Sequence, residues 1–490
     1  MAETALDRLS REQLIAAGTA LPRLYIEAAP GSGKTTVSAY RFGAQRFALE
    51  GDPRAVVAVS FTRSATAELR TRVRAIWGQG AINSPHRIVT LDTVVYDLLA
   101  HLLHTSKLQW PGGHTNLEVL DTWKAHYPTR YTAREPVVVL QGRQIVTTST
   151  YRQAKDYHLA QPDFDAAVNN GQCTHDNVRA ILEQALSDPD ISSCLNDYFA
   201  TTTRALIVDE IFDANGLDLA IVELAARAGL DITVVGDPWQ ALYGFRGARP
   251  DLVPTLVERA EMATLHLTAS FRWRTTDQEN LSAALRRSEP VAVPSAAMDG
   301  VDVVLAREWK PLWNTHSRVL PLAFRSASGN TQEAASTLLL DRLTRSAFGE
   351  HATYATDAAA TLRLDNEACA RLEPRLDRIL ARLTESDDLR TTLADLTAVI
   401  TTESPVRIPR RHPDHIERLR QLRNRLLHPF DDLVVGLTTH QAKGREWGTV
   451  AVRLEDIDVQ ALRRGLDPGN EDHRKLYVAF TRARRRSLAA

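Results

Sequence analysis

The sequence predicts an α/β protein built on two parallel sheets in tandem, each interrupted by an insertion, and three observations carry that reading. Residues 23–100 alternate short β-branched runs with longer amphipathic stretches, the pattern returns at 204–237, and a second set begins near 301 and resumes at 432. Strand–helix alternation of this kind gives parallel strands joined by crossover helices, with ligand sites at the strands' C-terminal ends. The chain's 490 residues exceed what one hydrophobic core normally serves, so several subdomains are expected.

Taken in order, RLYIEA, AVVAVS and RIVTL read as strands, and the segments after Lys34, Arg63 and Thr93 read as helices. RALIVDE (204–210) and DITVVGD (231–237) complete the first set, with a helix from Gly216 between them. VDVVLA (301–306), RVLPLAF (318–324), DLVVGLTTH (432–440) and GTVAVRL (448–454) form the second. The expected boundaries are 1–100 and 204–275 for the first domain with 101–203 inserted, then 276–325 and 432–490 for the second with 326–431 inserted. Both insertions are expected to be mostly helical. The first is the more mixed, with a polar stretch around 141–176, whereas the second is Ala/Leu/Arg-rich, as in NEACARLEPRLDRILARLTE.

Composition narrows the function. The net charge is -1, from 59 basic and 60 acidic residues, so a nucleic-acid surface has to be a local track rather than a basic coat. Cys173, Cys194 and Cys369 are widely spaced without a CxxC pair, which opposes a disulfide framework or clustered zinc site and fits a reducing cytosol. The polar, acidic start MAETALDRLSREQL is wrong for a signal peptide, and no apolar run approaches the roughly 18 residues that cross a bilayer. A soluble cytoplasmic protein without membrane partners is expected.

AAPGSGKTT, Ala28 to Thr36, lies between a predicted strand and a predicted helix. A phosphate-binding loop needs small residues whose N–H groups curl round the anion, a lysine for the β/γ oxygens and a hydroxyl for Mg²⁺. Gly31, Gly33, Lys34 and Thr35 supply these, and Ala29, Pro30, Ser32 and Thr36 complete the turn. Ala28 stands where the strict pattern has its first glycine. Only seven lysines occur against 52 arginines, so a lysine at this one position is selective. ALIVDE (205–210) supplies the complement: Asp209 to share Mg²⁺ with Thr35, and Glu210 to orient and deprotonate an attacking water.

The ordered series is longer. It runs LSREQ (9–13), AAPGSGKTT, VSFTRSATAELR (59–70), TLDT (90–93), VDEIFDAN (208–215) and VGDPWQALYGFRGA (235–248). LTASFRW (267–273), LTTHQAKGREW (437–447) and HRKLYVAFTRA (473–483) follow. This series resembles the motif set of UvrD/Rep-type superfamily 1 DNA helicases. The resemblance implies two RecA-like domains that hydrolyse ATP between them, single-stranded and tailed duplex DNA as partners, and 3′→5′ movement. It also implies that Gln13 reads the adenine edge, Phe271 takes the stacking position, Gln240 senses the γ-phosphate, and Glu446 contacts the ribose. Arg272 and Arg482 become arginine fingers. Phe61, Thr62, Thr90, Tyr243, Phe245, Arg246, Thr438 and His440 become the DNA track. In YGFRG the alternate spacing itself displays two rings on one side with an arginine between them, as a stacking platform requires.

Some positions depart from the family. Phe212 replaces the glutamine of DExQD, Ser270 an asparagine, Arg445 a leucine and Trp447 a phenylalanine, and the family's closing strand is expected to be missing after Ala483. Arg41 matches a family arginine, with a solvated or structural role. The stretch 407–428 carries seven arginines against two acidic residues, readable as a solvated helix face or a docking surface for duplex or partner. Both insertions look shorter than those of full-sized repair helicases, and the compact build resembles the helicase subunit that stands beside a nuclease in Gabija-type anti-phage defence. The alternative expectation is therefore a DNA-stimulated ATPase subunit whose nuclease partner does the cutting.

Overall fold

Runs of Val, Ile and Ala with no charged residue at their centres pair as parallel strands buried on both faces, as helix-covered parallel sheets require. The computed structural model describes residues 9–49, 51–123, 126–127, 129–131, 133–151, 157–325, 331–409 and 413–490. It divides into two units, Met1–Phe271 and Arg272–Ala490.

In the first unit the strands lie side by side in the order Ala263–Leu267, Arg23–Ala28, Asp231–Gly236, Thr203–Asp209, Ala55–Ser60 and Arg87–Thr90. Every pairing is parallel. All six C-terminal ends therefore open onto one edge, which gathers the segments after Ala28, Ser60, Thr90, Asp209, Gly236 and Leu267. The second unit's sheet runs Val319–Pro321, Val434–Thr438, Val303–Ala306, Trp447–Val452 and Ala483–Ala489, again wholly parallel.

That last strand corrects the expectation of a missing closing strand. Ala483–Ala489 pairs along Trp447–Val452, from Trp447↔Ala483 to Val452↔Ala489. Its three consecutive arginines, Arg484, Arg485 and Arg486, are exposed on a sheet edge, where charge opposes pairing with another chain.

The first insertion is less helical than expected. Helices Gln161–Asn169, His175–Ala185 and Pro189–Thr202 share it with an antiparallel hairpin, Arg134–Gln141 against Gln144–Tyr151. The β-branched runs PVVVL and IVTTST set the strands, and Gly142 at φ +61° allows the two-residue turn. The second insertion is helical: Thr331–Phe348, Ala355–Thr361, Asn366–Glu385, Leu389–Thr401 and Pro413–Leu426 enclose a core that includes Leu339, Leu343, Leu372, Leu396 and Leu419.

The basic stretch faces solvent only in part: Arg407 and Arg420 are exposed, whereas two of its arginines turn inward. Arg418 is buried, 3.4 Å from Glu333 and over the Phe324 ring. Arg425 is buried too, donating to the Val319 and Trp313 carbonyls, and burial pulls its guanidinium down to about 10. Arg410 and Arg411 lie outside the described residues. Arg41 is structural rather than solvated. It is buried and donates to the Thr233 hydroxyl and to the carbonyls of Ala16, Thr19 and Leu21. Arg41→Ala strips those acceptors of their donors, and unsatisfied buried groups cost about 1–3 kcal/mol each. A stability loss on the order of 3 kcal/mol is expected by urea titration, and an unchanged midpoint would contradict the role. Among the described residues no helix is long and apolar enough to cross a membrane.

Candidate nucleotide and nucleic-acid sites

After Ala28 the backbone turns through Gly31 at φ +74° and Gly33 at φ +82° into the helix Lys34–Ala48. Gly33 is favoured by its left-handed conformation, and a Cβ there would lie 2.6 Å from Gln13 Nε2 and push that amide aside. No acidic side chain occupies the first turn and none caps it, so the first N–H groups of a 15-residue helix suit an anion. Lys34 is buried beside them.

Gln13, expected at the adenine edge, is placed against this turn. Its Oε1 accepts from the Ser10 N–H at 2.9 Å and its Nε2 donates to the Ser32 carbonyl at 2.9 Å. The side chain thus caps its own helix and buttresses the loop, a role the sequence reading missed. Glu12 was missed as well. Its carboxylate accepts from the Thr268 N–H at 2.7 Å and hydroxyl at 2.6 Å, and Thr268 holds its carboxyl below the usual range. Ser270 Oγ donates to the Pro30 carbonyl at 2.8 Å and the Phe271 N–H to the Gly31 carbonyl at 2.9 Å. Segment 268–271 is therefore stitched to the turn, with the Phe271 ring 49% exposed beside it.

Asp209 closes the central strand and is buried, with a hydrogen bond to Thr35 and one oxygen, Oδ1, without any hydrogen-bond partner. Burial and the neighbouring Glu210 carboxylate push its carboxyl up, while Lys34 and Thr35 oppose them. Glu210 adopts φ +63°, ψ +44°, a left-handed conformation that costs a residue with a Cβ about 1–3 kcal/mol. Its Oε1 lies 3.9 Å from Lys34 Nζ. The glycine turn, lysine, hydroxyl and two carboxylates thus meet at one sheet edge. A buried orphan carboxylate oxygen next to a threonine hydroxyl is a donor set for a hard dication that completes its shell with phosphate oxygens and water.

Phe212 is buried in the core. Its ring packs edge-on to Tyr25 at 6.3 Å, and a Cβ on Gly236 would strike it at 2.7 Å. Where the family has an amide, this chain wedges a ring between the Glu210 turn and the strand leading to Asp237. Gln240 is buried and donates to Asp237 Oδ2 at 2.7 Å.

Tyr243 and Phe245 lie 6.0 Å apart at 57°, and the Arg246 guanidinium sits 5.2 Å and 5.5 Å from their ring centroids. Phe245 is 65% exposed. The Arg249 N–H donates to the Ala214 carbonyl at 2.7 Å, fastening this loop to the turn that carries Glu210. Phe61 is half-buried, packed against the main core. Thr62 and Thr90 are the N-cap residues of the helices Arg63–Trp77 and Leu91–His104 at the same sheet edge.

In the second unit Arg272 Nε lies 2.6 Å from Glu446 Oε1, its Nη1 donates to the Thr481 carbonyl at 2.7 Å, and Arg484 holds the other Glu446 oxygen at 3.2 Å. Burial alone would raise the Glu446 carboxyl, and Arg272 holds it below the usual range. Arg482 is buried and donates to the Val478 carbonyl at 3.2 Å. The structure thus brings Arg272 and Glu446 together within this unit. Thr438 caps the short helix Thr439–Ala442, which carries the half-buried His440. Arg445 stacks 5.1 Å over Trp447 and pairs with Glu350 at 2.7 Å, so these two departures form one contact to the second insertion.

The chain matches the UvrD/REP helicase N-terminal domain over residues 9–160 and 151–260. It is 25% identical over 296 residues to the “Putative ATP-dependent DNA helicase YjcD” of Bacillus subtilis, covering 54% of this chain and 36% of that protein. The ATP-dependent DNA helicase PcrA of Staphylococcus aureus is 24% identical over 270 residues, covering 50% of this chain and 35% of PcrA. PcrA of Leuconostoc citreum is 25% identical over 269 residues. The matched region thus spans about a third of each of the first two relatives. With the phosphate turn, both carboxylates and the aromatic loop inside a match covering just over half of the chain, the chain belongs to the UvrD/REP helicase family.

Proposed function

We propose that this chain hydrolyses ATP to move along single-stranded DNA in the 3′→5′ direction, separating tailed duplexes as it goes. The observation that carries the reading is the meeting of Lys34, Thr35, Asp209 and Glu210 at one sheet edge, with Glu210 3.9 Å from the lysine. The helix N-terminus and Lys34 bind the phosphates. Thr35 and Asp209 are the residues that fit Mg²⁺, which when bound neutralises charge on the β and γ oxygens. Glu210 takes the proton of the attacking water, and Gln240, held by Asp237, orients that water. Phe271 stacks on the base and Glu446 meets the ribose. The family resemblance further assigns Arg272 and Arg482 to the charge that develops on the γ-phosphate during hydrolysis.

Tyr243 and Phe245 grip bases through their faces, without reading sequence. Tyr243→Ala and Phe245→Ala are each expected to weaken single-stranded DNA binding by about 1–3 kcal/mol with little base preference. Turnover without DNA should persist. Wild-type affinity in a folded variant would assign these rings to packing alone. The function is tested by ATP turnover with and without single-stranded DNA, and by strand separation on 3′- and 5′-tailed duplexes. Turnover indifferent to DNA would sink the proposal.

The alternative, an ATPase subunit beside a nuclease, rests on short insertions and an expected missing closing strand, with 407–428 as a candidate docking surface. The strand Ala483–Ala489 removes the second ground, and the buried Arg418 and Arg425 narrow the docking surface. It predicts strong DNA stimulation of ATPase with no strand separation by the chain alone.

A further inference from the structure

Arg179 belongs to the first insertion, on the helix His175–Ala185, outside every motif of the nucleotide and DNA sites. Its guanidinium bridges two carboxylates: Nε donates to Asp92 Oδ1 at 2.7 Å and Nη1 to Asp218 Oδ1 at 2.7 Å. Each carboxylate sits in the first turn of a helix that leaves the functional edge of the sheet. Asp92 is two residues beyond Thr90, the N-cap residue of the helix Leu91–His104. Asp218 is buried. Its Oδ2 accepts from the Asn215 N–H at 3.0 Å, closing the capping box of the helix Gly216–Arg227 directly after the turn that carries Glu210. The strands feeding these helices, Arg87–Thr90 and Thr203–Asp209, are separated by one strand, Ala55–Ser60.

We infer that Arg179 is a positioning residue that ties the strand end bearing Thr90 to the turn bearing Glu210, so that DNA held at the first promotes hydrolysis at the second. The inference rests on the proposed function and names the part of the first insertion that serves it. A planar fork meeting two carboxylates at fixed separation resists relative movement of the two helix starts, which a single flexible ammonium does not. Removing the Asp218 carboxylate would also break its bond to the Asn215 N–H in a buried capping box, so the informative substitutions are Asp92→Asn and Arg179→Lys. Asp92→Asn takes the charge from one arm, leaving a weaker amide acceptor there, and keeps the Arg179–Asp218 pair intact. Arg179→Lys keeps the charge and loses the fork.

The experiment titrates single-stranded DNA against ATP turnover for the full chain and both variants, alongside thermal melting. Expected are a wild-type melting midpoint, wild-type turnover without DNA and wild-type KM for ATP. The DNA concentration for half-maximal stimulation should rise at least about fivefold, the low end of couplings between sites. Half-saturation identical to wild type in Asp92→Asn overturns the inference. So does a loss of turnover without DNA that tracks a lower melting midpoint, because Arg179 would then serve stability alone. A wild-type chain unstimulated by DNA is a different result: it removes the proposed function first, and the inference with it.

Discussion

Glu210→Gln is expected to abolish ATP turnover while ATP still binds. Glutamine keeps the length and shape of the side chain at a backbone position already held at φ +63°, so the site's geometry survives and only the proton acceptor is lost. General-base catalysis is worth roughly 10²–10⁴-fold, and a fall of that order in kcat is expected. The charge balance favours retained binding. Lys34 is relieved of its nearby carboxylate at 3.9 Å and Asp209 of the neighbouring charge that pushes its carboxyl up. Lys34→Ala should differ in kind. It removes the cation beside both carboxylates, which under the proposed function also meets the phosphates, so affinity and turnover are expected to fall together. Nucleotide titration beside steady-state turnover separates the two patterns. Undiminished turnover in Glu210→Gln would remove that residue from the role of base.

Much of this site was legible because its chemistry is local. Gly31, Gly33, Lys34 and Thr35 lie within five residues, and Asp209 and Glu210 end an apolar strand, so the sequence alone aligns each set with a strand end. The contacts that hold the site together run between distant segments and leave no local trace. Nothing adjacent to Gln13 announces that its amide bonds to Ser32, or that Glu12 bonds to Thr268. Phe212 was read as a lost amide, whereas in the structure the ring fills space against Gly236 and Tyr25. The strand Ala483–Ala489 was hidden by its arginine run, which breaks alternation because an edge strand need not alternate cleanly. In 407–428 the composition looked solvent-facing, yet Arg418 and Arg425 turn inward, where long stems pack on Phe324 and Trp313. Composition gives the number of charges, and only packing gives their direction.

Arg272→Ala and Arg482→Ala should each lower kcat by about 10³-fold or more, with a much smaller change in ATP affinity. The reason is differential: charge on the γ-phosphate oxygens spreads in the transition state, so a guanidinium aimed there stabilises that state more than bound ATP. The surroundings make Arg272 the cleaner test. Without it Glu446 keeps Arg484 at 3.2 Å, so no half-buried carboxylate is left without a cation and the fold should hold. Arg482 is buried and bonded to the Val478 carbonyl, so its variant needs a melting curve beside the kinetics. Lysine should not rescue Arg272, because its side chain bonds Glu446 and the Thr481 carbonyl through two separate nitrogens, a fork that an ammonium cannot reproduce. Weakened ATP affinity with an undiminished rate constant would make both arginines ground-state binders. A rate that falls only in proportion to the folded fraction would make Arg482 a packing residue.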